Sequence, residues 1–303
     1  MNTTTKSFVE LLPLVLMFAV LVLLLAIFQR KLGNIRTGRN GSLQFGLPLR
    51  SPGASVLNQF ERAVSEYNIF GVAVAVVPLT LLLSYLTYLY LSKTPAGRLD
   101  LIYLVCLLVG FLLYGTNKLR RLDAKKKRLL RTFAGIQMVA QEINRLSVAG
   151  YHVYHDFPSG RFHIDHVVVG PTGVFAVRSR IPSCLDRVAR DKPHPISAAG
   201  EILTTKKATD TTTIRTTVFH AAWLANWLLT AAGDAVRVQP LLTLPGYRFE
   251  FADNPEIVAV DPTRIVSAVR ANRASHLGIE TIQRLRNEIE RKYRRASGRS
   301  GPG

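Results

Sequence analysis

The chain has 303 residues, a net charge of +19 and 48% hydrophobic residues with a positive mean hydropathy, more apolar than a wholly soluble protein of this length requires. Its two cysteines, Cys106 and Cys184, exclude a disulfide framework and a cysteine-built zinc site. The apolar excess is concentrated near the N-terminus, so composition alone points to a membrane region followed by a basic soluble domain.

In chain order, Leu11–Phe28 is a nearly uncharged run, longer than the apolar core of a cleaved leader and followed by no small-residue cleavage site; it reads as an anchor. Residues 29–54 are rich in Gly, Arg, Ser and Pro and read as a loop. Leu57, Phe60, Val64 and Tyr67 then recur at helical spacing, which predicts a short amphipathic helix on the membrane surface. Residues 69–91 form a second span, with Pro78 tolerated inside it, and 99–115 a shorter third. The Lys93-Thr-Pro-Ala-Gly turn joins these two into a hairpin, so 1–115 is the expected membrane region.

Orientation follows from the flanking charge, because short cytoplasmic segments collect Lys and Arg. Residues 116–131 hold eight basic side chains against Asp123 alone, net +7, and the 29–68 segment is net +4. A multi-pass protein of a bacterial-type inner (plasma) membrane is implied, with the N-terminus outside and the C-terminal domain cytoplasmic. Within the basic juxtamembrane segment, Lys118, Arg120, Arg121, Lys125, Lys126, Lys127 and Arg128 are expected to face anionic lipid, each attracted by about 1 kcal/mol near the surface. Residues 132–303 keep only +7 of the total charge, so most of the basicity reports topology rather than nucleic-acid binding.

From Asp123 to Val148, Leu129, Leu130, Phe133, Ile136, Val139, Ile143 and Leu146 return every three or four residues and predict a helix ended by Gly150. Strands are expected at Tyr151–His155, Phe162–Val169 and Gly173–Val177, the last two joined by a Gly170-Pro171-Thr172 turn. Residues 181–213 read as irregular. A helix over Ile214–Ala231, strands over Val236–Leu244 and Ile257–Val260, and helices over Thr263–Ala271 and Ile279–Arg295 complete the pattern, with Ser297–Gly303 as a frayed tail.

His163-Ile164-Asp165-His166-Val167-Val168-Val169-Gly170-Pro171-Thr172-Gly173-Val174-Phe175, preceded by a helix with Gln141-Glu142-Ile143-Asn144-Arg145-Leu146 and a strand with His155-Asp156, resembles the central motif of the nuclease-related domain, NERD. The resemblance covers about residues 132–262, leaving 263–303 as C-terminal helices and a tail. It implies a mixed-sheet α/β domain of the PD-(D/E)XK restriction-endonuclease-like fold, in which a helix Glu, a strand Asp and a Glu-x-Lys pair hold a divalent cation. Such a cation lowers the pKa of a bound water and offsets phosphodiester charge, which needs several converging carboxylate oxygens.

Glu142 and Asp165 match the first two carboxylates, but Ala176-Val177-Arg178-Ser179-Arg180 puts Arg178 where the family has Glu and Arg180 where it has Lys. A guanidinium offers no lone pair and cannot ligate a metal. The expected site is therefore Glu142, Asp165, Arg178 and Arg180 without a resident metal. Either Arg178 pairs with Asp165 and Glu142 in place of the cation, or Arg178 and Arg180 grip a phosphate. The expected activity is binding of DNA, RNA or a protein partner by a nuclease-like domain that no longer cleaves. Two alternatives stay open: a nuclease using Mg2+ or Mn2+ with a relocated carboxylate such as Glu201 or Asp186, and a membrane interaction protein indifferent to nucleic acid.

His152, His155, His163 and His166 suit strand hydrogen bonding better than metal ligation. Trp223 and Trp227, four apart on a helix, read as core residues rather than a stacking platform, and Cys184 as an idle thiol.

Overall fold

The computed structural model describes residues 51–92, 98–181, 194–206, 209–253, 256–272 and 275–298. The expected first anchor at 11–28, the turn at 93–97, Cys184 and Asp186 lie outside these residues. Two compact units are present, one made of Phe60–Lys127 and one of Gln44–Gln59 with Arg128–Gly303, as far as their residues are described.

Helix α1 spans Ala54–Ser92 and α2 spans Arg98–Asn144; both contain stretches long and apolar enough to cross a membrane. The separate amphipathic helix expected before the second span is instead the opening of α1. Likewise, the third span, the basic segment and the helix that enters the soluble domain are one helix. Alternation of Leu, Lys, Arg and Ala through 119–134 offers no breaker, since each is a strong helix former and no proline intervenes. Within the first unit the helices approach closely at Gly115, where a Cβ would lie 2.7 Å from a Val74 methyl. Small residues permit such an approach between apolar helices. Lys125 meets Glu66 at 3.3 Å and Lys127 meets Asp123 at 2.8 Å, while the Lys126 ammonium lies 3.8 Å from the Tyr67 ring centroid. Lys118, Arg120 and Arg121 are exposed and have no ion-pair partner among the described residues.

The second unit is an α/β domain. After a 3-10 turn at Arg145–Ala149, closed by Gly150 in the left-handed region (φ 81°), come β1 (His152–Pro158), β2 (His163–Gly170) and β3 (Gly173–Arg178). These pair antiparallel, β2 and β3 joined by the expected tight turn. Helix α3 (Thr213–Ala232) returns the chain so that β7 (Val238–Leu242) lies parallel to β3, and β9 (Val258–Ala259) follows β7 in parallel, giving a mixed five-stranded sheet, β1-β2-β3-β7-β9.

The region read as irregular is not so throughout. His194–Ala199, Ile202–Thr204 and Thr209–Asp210 are β4, β5 and β6, and with β8 (Tyr247–Asp253), also unforeseen, they form a second sheet in the order β6-β5-β4-β8. β4, β5 and β6 are short and carry Pro or Thr, so local pattern is weak there, whereas β8 does alternate Tyr247, Phe249 and Phe251 with Arg248 and Glu250. Their stability comes from burying Ile196, Leu203 and Tyr247 against Ile214, Leu242 and Leu244.

Each face of the main sheet has its own core. On one, Val139, Ile143 and Leu146 of α2 pack on Val168, Phe175, Val177 and Leu241, together with Ile265 and Val269 of α4 (Ile265–Ala271), which follows a 3-10 turn at Pro262–Arg264. On the other, Leu224 and Leu228 of α3 pack on Ile164, Val167 and Val174 with Leu285, Ile289 and Tyr293 of α5 (Ile279–Gly298). The C-terminal helix is thus part of the domain core rather than an appendage beyond residue 262. Burying its Ile282–Tyr293 stripe removes polarity only from the inward face, as its strongly amphipathic sequence dictates.

Candidate functional site

Asp165 lies on β2, 4% exposed, on the sheet face that α3 covers. At the end of β3 the chain passes through Ser179 and brings Arg180 back against it. Arg180 Nε donates to Asp165 Oδ1 at 2.6 Å, and the Ser179 amide donates to Oδ2 at 2.9 Å. Burial alone would raise the Asp165 pKa. The guanidiniums of Arg180 and Arg178, His166 and the Ser179 amide outweigh it and hold the carboxyl well below its usual range.

The direct partner of Asp165 is therefore Arg180, not Arg178 as the first sequence reading proposed. Arg178 is the last residue of β3, in register with Leu242, and its side chain leaves the strand before the chain turns at Ser179. Its Nε is buried without a hydrogen-bond partner. Burial lowers the Arg178 pKa, and the charges of Asp165 and Asp210 offset this only in part.

Glu142 does not join this group: it is ion-paired to Arg145 at 2.9 Å on α2. The apolar stripe of Val139, Ile143 and Leu146 turns that helix toward the other sheet face, leaving Glu142 at the stripe's flank. Glu201 is exposed and 3.8 Å from Arg215.

Several participants were not singled out from sequence. Asp156 on β1 is flanked by the register pairs His155↔His166 and Phe157↔Ile164, so it stands across from Asp165, and its φ of 53° breaks the ladder there. Asp populates that backbone region more readily than most residues, at some strain. Its carboxylate accepts from the backbone amide of Ser55 (3.1 Å) and from the Ser55 hydroxyl, capping the first turn of α1 from a distant strand. Arg180 Nη2 donates to the same Ser55 Oγ at 3.2 Å, so one guanidinium bridges two facing acidic residues, one directly and one through a hydroxyl. The available sequence signal was the His155-Asp156 pair, but its opposition to Asp165 needs the strand register.

His155 and His166 form a chain of contacts. His155 Nε2 lies 3.0 Å from Asn144 Oδ1 and its Nδ1 2.8 Å from His166 Nδ1, where one of the two rings must accept; His166 Nε2 lies 3.2 Å from Ser179 Oγ, which also donates to Asp165 Oδ2 at 3.4 Å. Burial pushes His155 down to about 4 and His166 down to about 3. His220 of α3, stacked on Phe162 at 4.6 Å, is pushed down to about 4, first by burial and then by Arg178.

A divalent cation does not fit these residues. Both Asp165 oxygens already accept hydrogen bonds, the neighbouring Arg178 offers no lone pair, and among the described residues no group of three or more His, Cys, Asp and Glu side chains converges to hold a metal. What the site does offer is a cleft of about 450 Å3 walled by Arg128, Arg178, Arg180, Asp210, Thr212 and Thr213.

Residues 131–245 match the model of the nuclease-related domain, NERD. No curated protein and no solved structure matches the chain.

Two outcomes follow. Asp165→Ala removes the anion from a buried pair and leaves Arg180 uncompensated, so full-length protein in detergent should unfold with stability lowered by about 3–5 kcal/mol; in a repulsive carboxylate cluster built for a metal the same change would stabilise. The three buried histidines have folded pKa values below their unfolded value of about 6.5, so the unfolded chain binds more protons between pH 4 and 6.5. Stability is complete above pH 6.5 and declines as pH falls through that window, by about 1.4 kcal/mol per unit per group at most. Thermal melts at pH 7.5, 6 and 5 should record the decline, flatter in His166→Gln.

Proposed function

We propose, for a chain whose residues 131–245 are a nuclease-related domain, that this domain binds the phosphate backbone of nucleic acid without hydrolysing it. The carrying observation is Arg178: a half-buried side chain whose Nε is buried and unpartnered, on the wall of a cleft that Arg180 and Arg128 share. A buried cation with an unmet donor is stabilised by an anion, and Arg grips phosphate through paired hydrogen bonds. Arg180 stands in for the family's cation by neutralising Asp165. The PD-(D/E)XK-like fold is part of this reading, supported by the mixed sheet with a helix on each face.

The membrane setting completes the proposal. The apolar stretches of α1 and α2, with the expected anchor at 11–28, cross a bacterial-type inner membrane, the N-terminus outside and the domain in the cytoplasm. The exposed Lys118, Arg120 and Arg121 support it as a positive cytoplasmic flank that touches anionic lipid. Tethering confines nucleic-acid capture to the membrane surface.

Full-length protein in detergent should bind labelled DNA or RNA with an affinity that falls steeply with salt and with no product in Mg2+ or Mn2+. Arg178→Gln should weaken binding roughly tenfold and flatten the salt slope by about one unit. Cation-dependent cleavage lost in Asp165→Ala would make the protein a nuclease with a relocated carboxylate; absence of any salt-sensitive binding would leave a membrane interaction protein. For orientation, protease added to sealed right-side-out vesicles should leave the domain intact, and its digestion would reverse the assignment.

A further inference from the structure

A second cleft of about 450 Å3 opens where the β1–β2 turn meets the end of α3 and the last turns of α5, walled by Ser159, His163, Trp227, Arg291, Lys292 and Arg295. It shares no residue with the Arg178 cleft. Its electrostatics are one-sided. The carboxylate in its wall, Glu288, is bonded to Arg291, which neutralises both. Lys292 and Arg295 have no acidic partner among the described residues, so two positive charges remain on the cleft.

Aromatic surface lies directly beside that charge. The Lys292 ammonium is 4.7 Å from the Trp227 centroid, 5.0 Å from Trp223 and 5.9 Å from Phe157. The two indoles are parallel within 6°, their centroids 6.4 Å apart. They do pack on the core cluster of α3 and α5, as sequence spacing suggested, yet both are only half-buried. Ring quadrupoles steady the Lys292 charge without neutralising it, and partial burial lowers its pKa, so an approaching anion gains both cations. An inorganic anion would use the cations alone; an anion carrying a flat apolar group would also use the indole wall. A cleft of this volume lies within the range that holds ligands of nucleotide size.

We propose that this cleft takes one nucleotide of a single-stranded nucleic acid, its base against Trp227 and its phosphate between Lys292 and Arg295. Single strands are specified because a paired base cannot leave its stack to reach an indole, whereas an unpaired base stacks on aromatic side chains whatever its identity. The site stands independently of the Arg178 reading. With it the domain holds a strand by a base-stacking contact as well as by phosphate charge.

The two tryptophans of the chain both lie in this cluster, so intrinsic fluorescence reads this cleft. Titrating full-length protein in detergent with a deoxythymidine homopolymer should quench that fluorescence saturably and salt-sensitively, and a blunt duplex should not. Arg295→Glu, an exposed and fold-neutral change, should raise the half-saturation point about tenfold, and adding Lys292→Gln should abolish quenching. Oligonucleotide binding without tryptophan quenching would overturn this site while leaving the Arg178 reading standing. Equal quenching in Arg295→Glu would also overturn it, as would quenching by phosphatidylglycerol vesicles but not by the oligonucleotide, which would assign the cleft to lipid headgroups.

Discussion

The buried pairing of Asp165 with Arg180 and the Ser179 amide is the constraint on which the site depends. A carboxylate this deep is stable as an anion only if its charge is met, and here a guanidinium and a backbone N–H meet both oxygens. The same Arg180 reaches Ser55, which the Asp156 carboxylate holds at the opening turn of α1. Two acidic residues set opposite each other across β1 and β2 are thereby tolerated.

That substitution changes what the neighbouring cation can do. With Asp165 committed to Arg180, Arg178 keeps a buried donor unmet and turns the cleft toward anions. Burial holds His155 and His166 well below the usual histidine range, so the two imidazoles add no further positive charge beside the guanidiniums at neutral pH.

Helix α2 ties membrane-suited sequence to domain core in one element. Its first half is a long apolar stretch and its last turns bury one stripe, Ile136, Val139, Ala140 and Ile143, so hydrophobicity changes along the helix from uniform to striped. The basic segment between them belongs to the same helix.

The sequence by itself determined the apolar stretches, the amphipathic stripes of α2, α3 and α5, the β2–β3 hairpin at Gly170-Pro171-Thr172 and the replacement of Glu by Arg178. Each of these is written in local periodicity, turn chemistry or residue identity, so no distant partner is needed to read it. Tertiary structure alone decided that Asp165 pairs with Arg180 rather than Arg178, that Asp156 faces Asp165, and that β4, β5, β6 and β8 form a second sheet. It also set Lys292 over Trp223 and Trp227, residues some seventy positions apart in the chain. These outcomes rest on strand register and on burial between distant segments. Neither leaves a signature in a short window of sequence, because the free energy that selects them is gained only when both partners are already in place.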